Sequence, residues 1–231
     1  MRQYLNALTA VFYPNVCVHC KQNNVVHAFL PLCFACASQI RNYNNTATEF
    51  KVPQTLTAVS VSVNSFCALW YFEKTKPVQS IIEHIKYGHN PQLAKQMGTL
   101  LWQHFEAHLR MLHIDAILPM PISSLRKRQR GYNQAELLGK TVSKQLGIPL
   151  LNASIIRKPQ QSQTRLGRSH RFYNTEGAFY VKTTAPLASK NILILDDVCT
   201  TGATLEALIN TWEKNICKTI HVLVLAYTPL Q

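Results

Sequence analysis

The stretch NILILDDVCTTGATLEALINTW, residues 191–212, decides the reading of this chain. NILIL (191–195) is an all-apolar run of strand length, and Leu205, Leu208, Ile209 and Trp212 share one stripe of a helix predicted over 203–214. Asp196 and Asp197 stand at the strand's carboxyl end, where two adjacent carboxylates repel unless a cation or hydroxyls sit beside them. Thr200, Thr201, Gly202 and Thr204 follow at the predicted helix start. Free N–H groups and hydroxyls there can hold a phosphate, and glycine lets the backbone approach it closely. The loop has neither the Lys of a P-loop nor the three glycines of a dinucleotide turn, which excludes both chemistries. Carboxylates for sugar hydroxyls beside a cradle for a phosphate on the same sugar describe a ribose 5-phosphate site. A helix cap after a buried strand is the plainer alternative, but one cap needs neither two acids nor three threonines.

Around this stretch, strands and helices alternate. FCALWYF (66–72), IDAILPMP (114–121), GAFYV (177–181), NILIL and TIHVLVLA (219–226) read as strands. VQSIIEHIKYG (78–88), PQLAKQMGTLLWQHFEAHLR (91–110) and GYNQAELLGKTVSKQLG (131–147) read as helices. All-apolar strands between helices predict an α/β fold, a mostly parallel sheet covered on both faces. In such sheets ligands bind beyond the carboxyl ends of the strands, where Asp196 and Asp197 are placed.

The amino-terminal part differs. CVHC and CFAC give Cys17, Cys20, Cys33 and Cys36 in a C-x2-C-x12-C-x2-C pattern, which can present four thiolates to one structural zinc ion. Two disulfides or four free thiols are the alternatives, and a cytoplasmic setting weighs against disulfides. His19 lies inside the first knuckle and can stand in for a cysteine. Cys67, Cys199 and Cys217 are isolated and read as packing residues. The predicted organisation is a short helix and zinc module over 1–45, a linker over 46–57 within the polar stretch 42–57, and the main domain over 58–231. So small a module holds no core without its ion.

Composition bounds the function. With 47% hydrophobic and 15% charged residues and mean hydropathy near zero, the chain can bury a core. No apolar run approaches the roughly 18 residues of a membrane span. MRQYLNALTAVFYPN breaks at Pro14 and reads as an amphipathic helix rather than a signal peptide, so a cytoplasmic location is expected. The formal net charge is +13, and eleven of the 24 Lys and Arg lie between residues 126 and 171 with a single acid, Glu136. They include Arg126, Lys127, Arg128, Arg130, Arg165, Arg168 and Arg171. Such a one-sign block points to a polyanion partner, with an exposed basic face as the plainer reading.

ILILDDVCTTGAT resembles the 5-phosphoribosyl-1-pyrophosphate (PRPP) motif of type I phosphoribosyltransferases. With the four-cysteine module, IKYG at 85–88, PMPISSLRKRQRGYNQAE at 119–136 and QTRLGRSHRFYNTEGAF at 163–179, the chain is similar over nearly its whole length to the ComF (competence protein F, ComF/GntX) family. Tyr132 stands where that family usually has Phe. The resemblance implies that Asp196 and Asp197 hold the ribose hydroxyls with Mg²⁺ nearby, and that Thr200, Thr201, Gly202 and Thr204 cradle the 5-phosphate. It places pyrophosphate near Arg126, Lys127, Arg128 and Arg130, and Arg165, Arg168 and Arg171 in a loop that closes over the site. Lys86 and Tyr87 fit either a site role or a surface role.

Three functions follow as expectations. The first in rank is a competence protein of natural transformation that handles incoming single-stranded DNA, retains a PRPP site and works with other competence proteins. Interleaved Tyr132, His170, Phe172 and Tyr173 suit base stacking there. The second is a metabolic phosphoribosyltransferase acting on an unidentified nitrogenous acceptor. The third, a structural zinc-ribbon partner, leaves the Asp-Asp-Thr-Thr-Gly loop without a purpose. No residue is assigned to catalysis.

Overall fold

The computed structural model describes residues 16–22, 30–43, 52–53, 63–151, 155–157, 179–181, 183–211 and 216–228. Four strands, β1 (Val63–Tyr71), β2 (Ala116–Pro119), β5 (Asn191–Cys199) and β6 (Thr219–Tyr227), form one sheet in the order β1-β6-β5-β2. Every neighbouring pair in it is parallel. The predicted parallel sheet is therefore present. Ile192 to Leu195 on β5 and Val222 to Ala226 on β6 are fully or nearly fully buried, and each large apolar side chain so buried contributes about 1.5–3 kcal/mol.

Helices cover the sheet. α1 (Phe34–Ala37) belongs to the cysteine module, α2 (Pro77–Tyr87) follows β1, and α3 (Pro91–Met111) follows α2 after Asn90, whose side chain accepts from Leu93 N at 3.0 Å. α5 (Gln134–Leu146) packs against α3 where Gly98 touches its backbone: a Cβ there would lie 2.7 Å from Leu138 O. α6 (Ala203–Ile209) follows β5.

The structure corrects several expectations. β5 runs on to Cys199, because Asp196 pairs with Val224, Val198 with Ala226 and Cys199 with Tyr227. The two carboxylates thus lie within the last four residues of the strand. A helix, α4 (Ser124–Arg130), occupies the cation run that carried no helix prediction; Ser123 Oγ accepts from Arg126 N at 3.3 Å, and Gly131 closes it at φ 80°. The helix predicted from Gly131 starts at Gln134, since Asn133 caps it by accepting from Ala135 N at 3.1 Å. The strand predicted over 177–181 is described as β4 (Phe179–Val181), and it pairs antiparallel with an unpredicted β3 (Ile155–Arg157), apart from the main sheet. Trp212 and the short helix predicted before Pro14 lie outside the described residues.

The cysteine module leans on the main sheet. Residues 41–43 lie antiparallel along β1: Tyr71 N donates to Arg41 O and Tyr43 N to Leu69 O, each at 2.9 Å. The Tyr43 ring meets Phe66, Tyr71 and Tyr227 edge-on at 5.1–6.3 Å. His19 Nδ1 lies 2.9 Å from Ser80 Oγ on α2. Polar stretch 42–57 therefore begins with Asn42 bridged to Trp70 and a packed Tyr43, and the module shares buried surface with the domain beyond the linker.

Candidate functional site: a buried carboxylate pair beside a threonine turn

Asp196 and Asp197 are 8% and 3% exposed. Asp196 Oδ1 accepts from Asp197 N at 2.8 Å, and Asp197 Oδ1 accepts from Val198 N at 2.9 Å, so each carboxylate is pinned by the next peptide. The cation that the pair requires is Lys86, at the end of α2: its Nζ lies 3.0 Å from Asp197 Oδ2. That approach is a charge contact without hydrogen-bond alignment, and the buried Oδ2 accepts no hydrogen bond among the described residues. Burial, followed by the neighbouring Asp197 charge, pushes the Asp196 carboxyl well above the usual carboxylate range against the pull of Lys86.

Beyond the pair, the chain turns through Thr200 and Thr201 to Gly202, whose φ of 76° suits glycine. Thr201 Oγ1 accepts from Ala203 N at 3.4 Å, and no side chain caps α6. A polar cleft lined by Asp196, Cys199 and the turn from Thr200 to Thr204 opens here. Burial, then the Asp196 charge, raises the Cys199 thiol to about 12, which disfavours its thiolate.

The neighbouring loop is fixed against this cleft. Pro119 pairs with Leu195, and Met120 N donates to Leu195 O at 2.8 Å, so the turn into α4 starts one residue from the carboxylates. Asn133 Nδ2 donates to Met120 O at 3.1 Å, and the Tyr132 hydroxyl donates to Ile85 O at 2.5 Å. These struts tie the loop to the helix end that carries Lys86. The four cations assigned to one anion site have different environments. Arg130 is buried, donates to Gln134 Oε1 at 2.9 Å and lies 5.3 Å over the Tyr87 ring. Lys127 lies 3.7 Å from Glu136, while Arg126 and Arg128 are exposed and without an ion pair among the described residues. Arg165, Arg168, Arg171, His170, Phe172 and Tyr173 lie outside the described residues.

Sequence reasoning gave no role to Arg157 and left Lys86 open. Arg157 is half-buried with its guanidinium 5.2 Å over Phe179, and burial lowers its pKa, as does Arg126, while Asp196 opposes that fall. Its one sequence signal was membership of the basic block. For Lys86 the signal was the carboxylate pair itself, which demanded a cation without saying from where.

At the other end, the Sγ atoms of Cys17, Cys20, Cys33 and Cys36 all lie within 4.8 Å of one another. Cys20 and Cys33 Sγ are 3.7 Å apart, far beyond a disulfide and close to the roughly 3.8 Å edge of a tetrahedron with Zn–S bonds of about 2.3 Å. Cys17 is lowered to about 6: burial acts to raise it, but hydrogen bonds from the backbones of Cys33, Cys20 and His19 outweigh that. The four cysteines can hold a metal ion, and their all-thiolate set suits zinc. His19 is engaged with Ser80. Cys67, Cys199 and Cys217 are buried free thiols, in line with packing roles. Among the described residues no helix is long and apolar enough to cross a membrane.

Comparison with known proteins agrees with this arrangement. The Phosphoribosyl transferase domain family matches residues 133–230, which contain the carboxylate pair and the threonine turn. Competence protein F of Haemophilus influenzae is 26% identical over 210 residues, covering 85% of this chain and 90% of that protein. DNA utilization protein YhgH of Salmonella typhi is 27% identical over 158 residues, 67% of this chain and 69% of its own. Competence protein ComFC of Bacillus subtilis is 34% identical over 89 residues, 38% of this chain and 34% of that protein. With a match to the phosphoribosyltransferase domain family, a four-cysteine cluster in the same chain and relatives of these names, the chain is similar to the ComF-family proteins.

Proposed function

We propose that this chain is a cytoplasmic competence protein that handles incoming single-stranded DNA and carries a PRPP site at the carboxylate pair. The observation that carries the site is the buried carboxylate pair: Asp196 lines the cleft at the threonine turn, and Asp197 beside it is held against Lys86. A ribose hydroxyl entering the cleft would donate to the Asp196 carboxylate. Asp197 takes the second hydroxyl. Thr200, Thr201 and Thr204 offer hydroxyls, and Gly202 close backbone approach, to the 5-phosphate. Arg126 and Arg128, exposed on the adjoining α4, are free to meet pyrophosphate, whereas the buried Arg130 supports that helix from within. Mg²⁺ arriving with the pyrophosphate would neutralise its charge further. Arg165, Arg168 and Arg171 are assigned to a closing loop on family resemblance alone.

The DNA-handling role is supported by the names of the relatives and by the surplus of cations over what one small anion needs. Partnership with other competence proteins follows from the same kinship. The test is equilibrium binding of labelled PRPP and of a short oligothymidylate to the same purified protein. Binding of both is expected. A chain that transfers ribose phosphate from PRPP to a nitrogenous acceptor yet has no affinity for single strands at low salt is a metabolic enzyme instead. A chain that ignores PRPP with Mg²⁺ present has lost the site assignment.

A further inference from the structure

We propose that the exposed ring of Tyr87 is a stacking platform for a base of single-stranded DNA, placed directly beside the carboxylate site. The proposal rests on the DNA-handling reading above and names the surface that performs it.

Tyr87 is 66% exposed, at the last position of α2. Lys86 and Tyr87 are consecutive helical residues, so their side chains leave the axis about 100° apart. One turns inward to Asp197 and the other outward to solvent. Below the ring sits the Arg130 guanidinium, 5.3 Å from its centroid. Arg130 is only 9% exposed and is held by Gln134 Oε1, so it is a fixed support rather than a passing surface contact. The Tyr132 hydroxyl on Ile85 O ties the Arg130 loop to the same helix end. The result is a large ring held from one side by a cation and open on the other.

An open aromatic face takes any base, and a cation under it strengthens the stack. The occupant is fixed by charge. Arg126 and Arg128 stand exposed on α4, four and two residues before Arg130, along about 6 Å of helix axis. Such a run beside the ring suits a base joined to successive phosphates. α4 (SLRKRQR) carries four cations and no acidic residue, which favours a polyanion as the occupant. Tyr132, one of the rings expected to stack, donates its hydroxyl to the Ile85 carbonyl.

The experiment compares an oligothymidylate with an abasic deoxyribose-phosphate strand of the same length and charge, on the full chain. Wild type is expected to prefer the strand with bases. Tyr87→Ala loses that preference, a fall of roughly 5- to 150-fold for the oligothymidylate, with the salt dependence of binding unchanged; Tyr87→Phe keeps it. The platform is overturned if wild type favours bases while Tyr87→Ala binds both strands as wild type does. It is also overturned if free thymidine monophosphate competes as strongly as the oligomer, which indicates a single-nucleotide pocket. If wild type binds neither strand at low salt, the DNA-handling reading itself falls, and the platform with it.

Discussion

Lys86 and Asp197, 111 positions apart in the chain, meet at 3.0 Å between the end of a helix and the end of a strand. The ammonium is what makes two buried, adjacent carboxylates tolerable. Lys86→Met should therefore lower stability by about 2–3 kcal/mol, most of it the penalty of stranded buried charge. The pH dependence has a definite sign. Asp196 has a raised folded-state pKa, so its contribution is present below the unfolded value near 3.9 and is lost as pH rises through the folded one. The Lys86→Met deficit should thus grow from mild acid to neutral pH, and adding Asp197→Asn should recover most of it. Urea unfolding midpoints measured across pH decide the matter.

Asp196→Asn with Asp197→Asn should abolish PRPP binding, by at least about 100-fold for two charged hydrogen-bond acceptors lost. The fold should persist, because Lys86 is partly exposed and can swing to solvent. Circular dichroism and calorimetric titration on the same sample check both halves. Unaltered PRPP affinity would remove the ribose from this site.

Zinc should be found at one ion per chain by elemental analysis. Cys33→Ser should release it and strip hydrogen-exchange protection from residues 16–22 and 30–43, while β5 and β6 stay protected. Metal retained in full by that variant would count against a four-thiolate centre.

Arg126→Ala with Arg128→Ala should flatten the slope of log K for single strands against log salt by about 1.4, since each phosphate contact contributes about 0.7. Arg130→Ala should instead cost stability, because its guanidinium is buried and hydrogen-bonded. Equal slope changes from all three arginines would contradict the burial seen here.

His221 offers a test remote from the site. Thr219 Oγ1 lies 2.8 Å from Asn191 Oδ1 and donates to it, so it accepts from His221 Nε2 at 3.0 Å, leaving Nδ1 to accept from Ser65 Oγ at 2.8 Å. Burial, then the nearby His108, lowers this imidazole to about 4. The unfolded chain takes up the proton below about 6.5, so stability is full above that value and declines as pH falls toward 4. The decline should be about 2 kcal/mol after allowance for solvent screening, and His221→Gln should remove it from thermal-melt profiles.

The sheet was legible because four strands are buried on both faces and so read as unbroken apolar runs. Asp196, Asp197 and the threonine turn were legible because their chemistry is local to one stretch. What escaped was tertiary or lacked periodicity. α4 has seven residues and no apolar stripe, so its only signals were Ser123 before it and Gly131 after it. The burial of Arg130 depends on Tyr87 and Gln134, and a count of charges treats it like its exposed neighbours. Nor could the β3–β4 pairing be read: two three-residue strands, with residues 158–178 between them, give a sequence pattern nothing to hold.

The short antiparallel cap laid by residues 41–43 along β1 also bears on solubility. β1 is the outer strand of the described sheet, long and apolar, and an uncovered outer strand invites pairing with another chain. The cap guards that border, and its anchor is the cysteine cluster a few residues before it. Chelation of the metal would then do more than unravel a small module. It would bare a sticky rim, and light scattering that climbs with protein concentration after chelator is added would report it. In a zinc-starved cell the chain would be lost to self-association before its carboxylate site had failed.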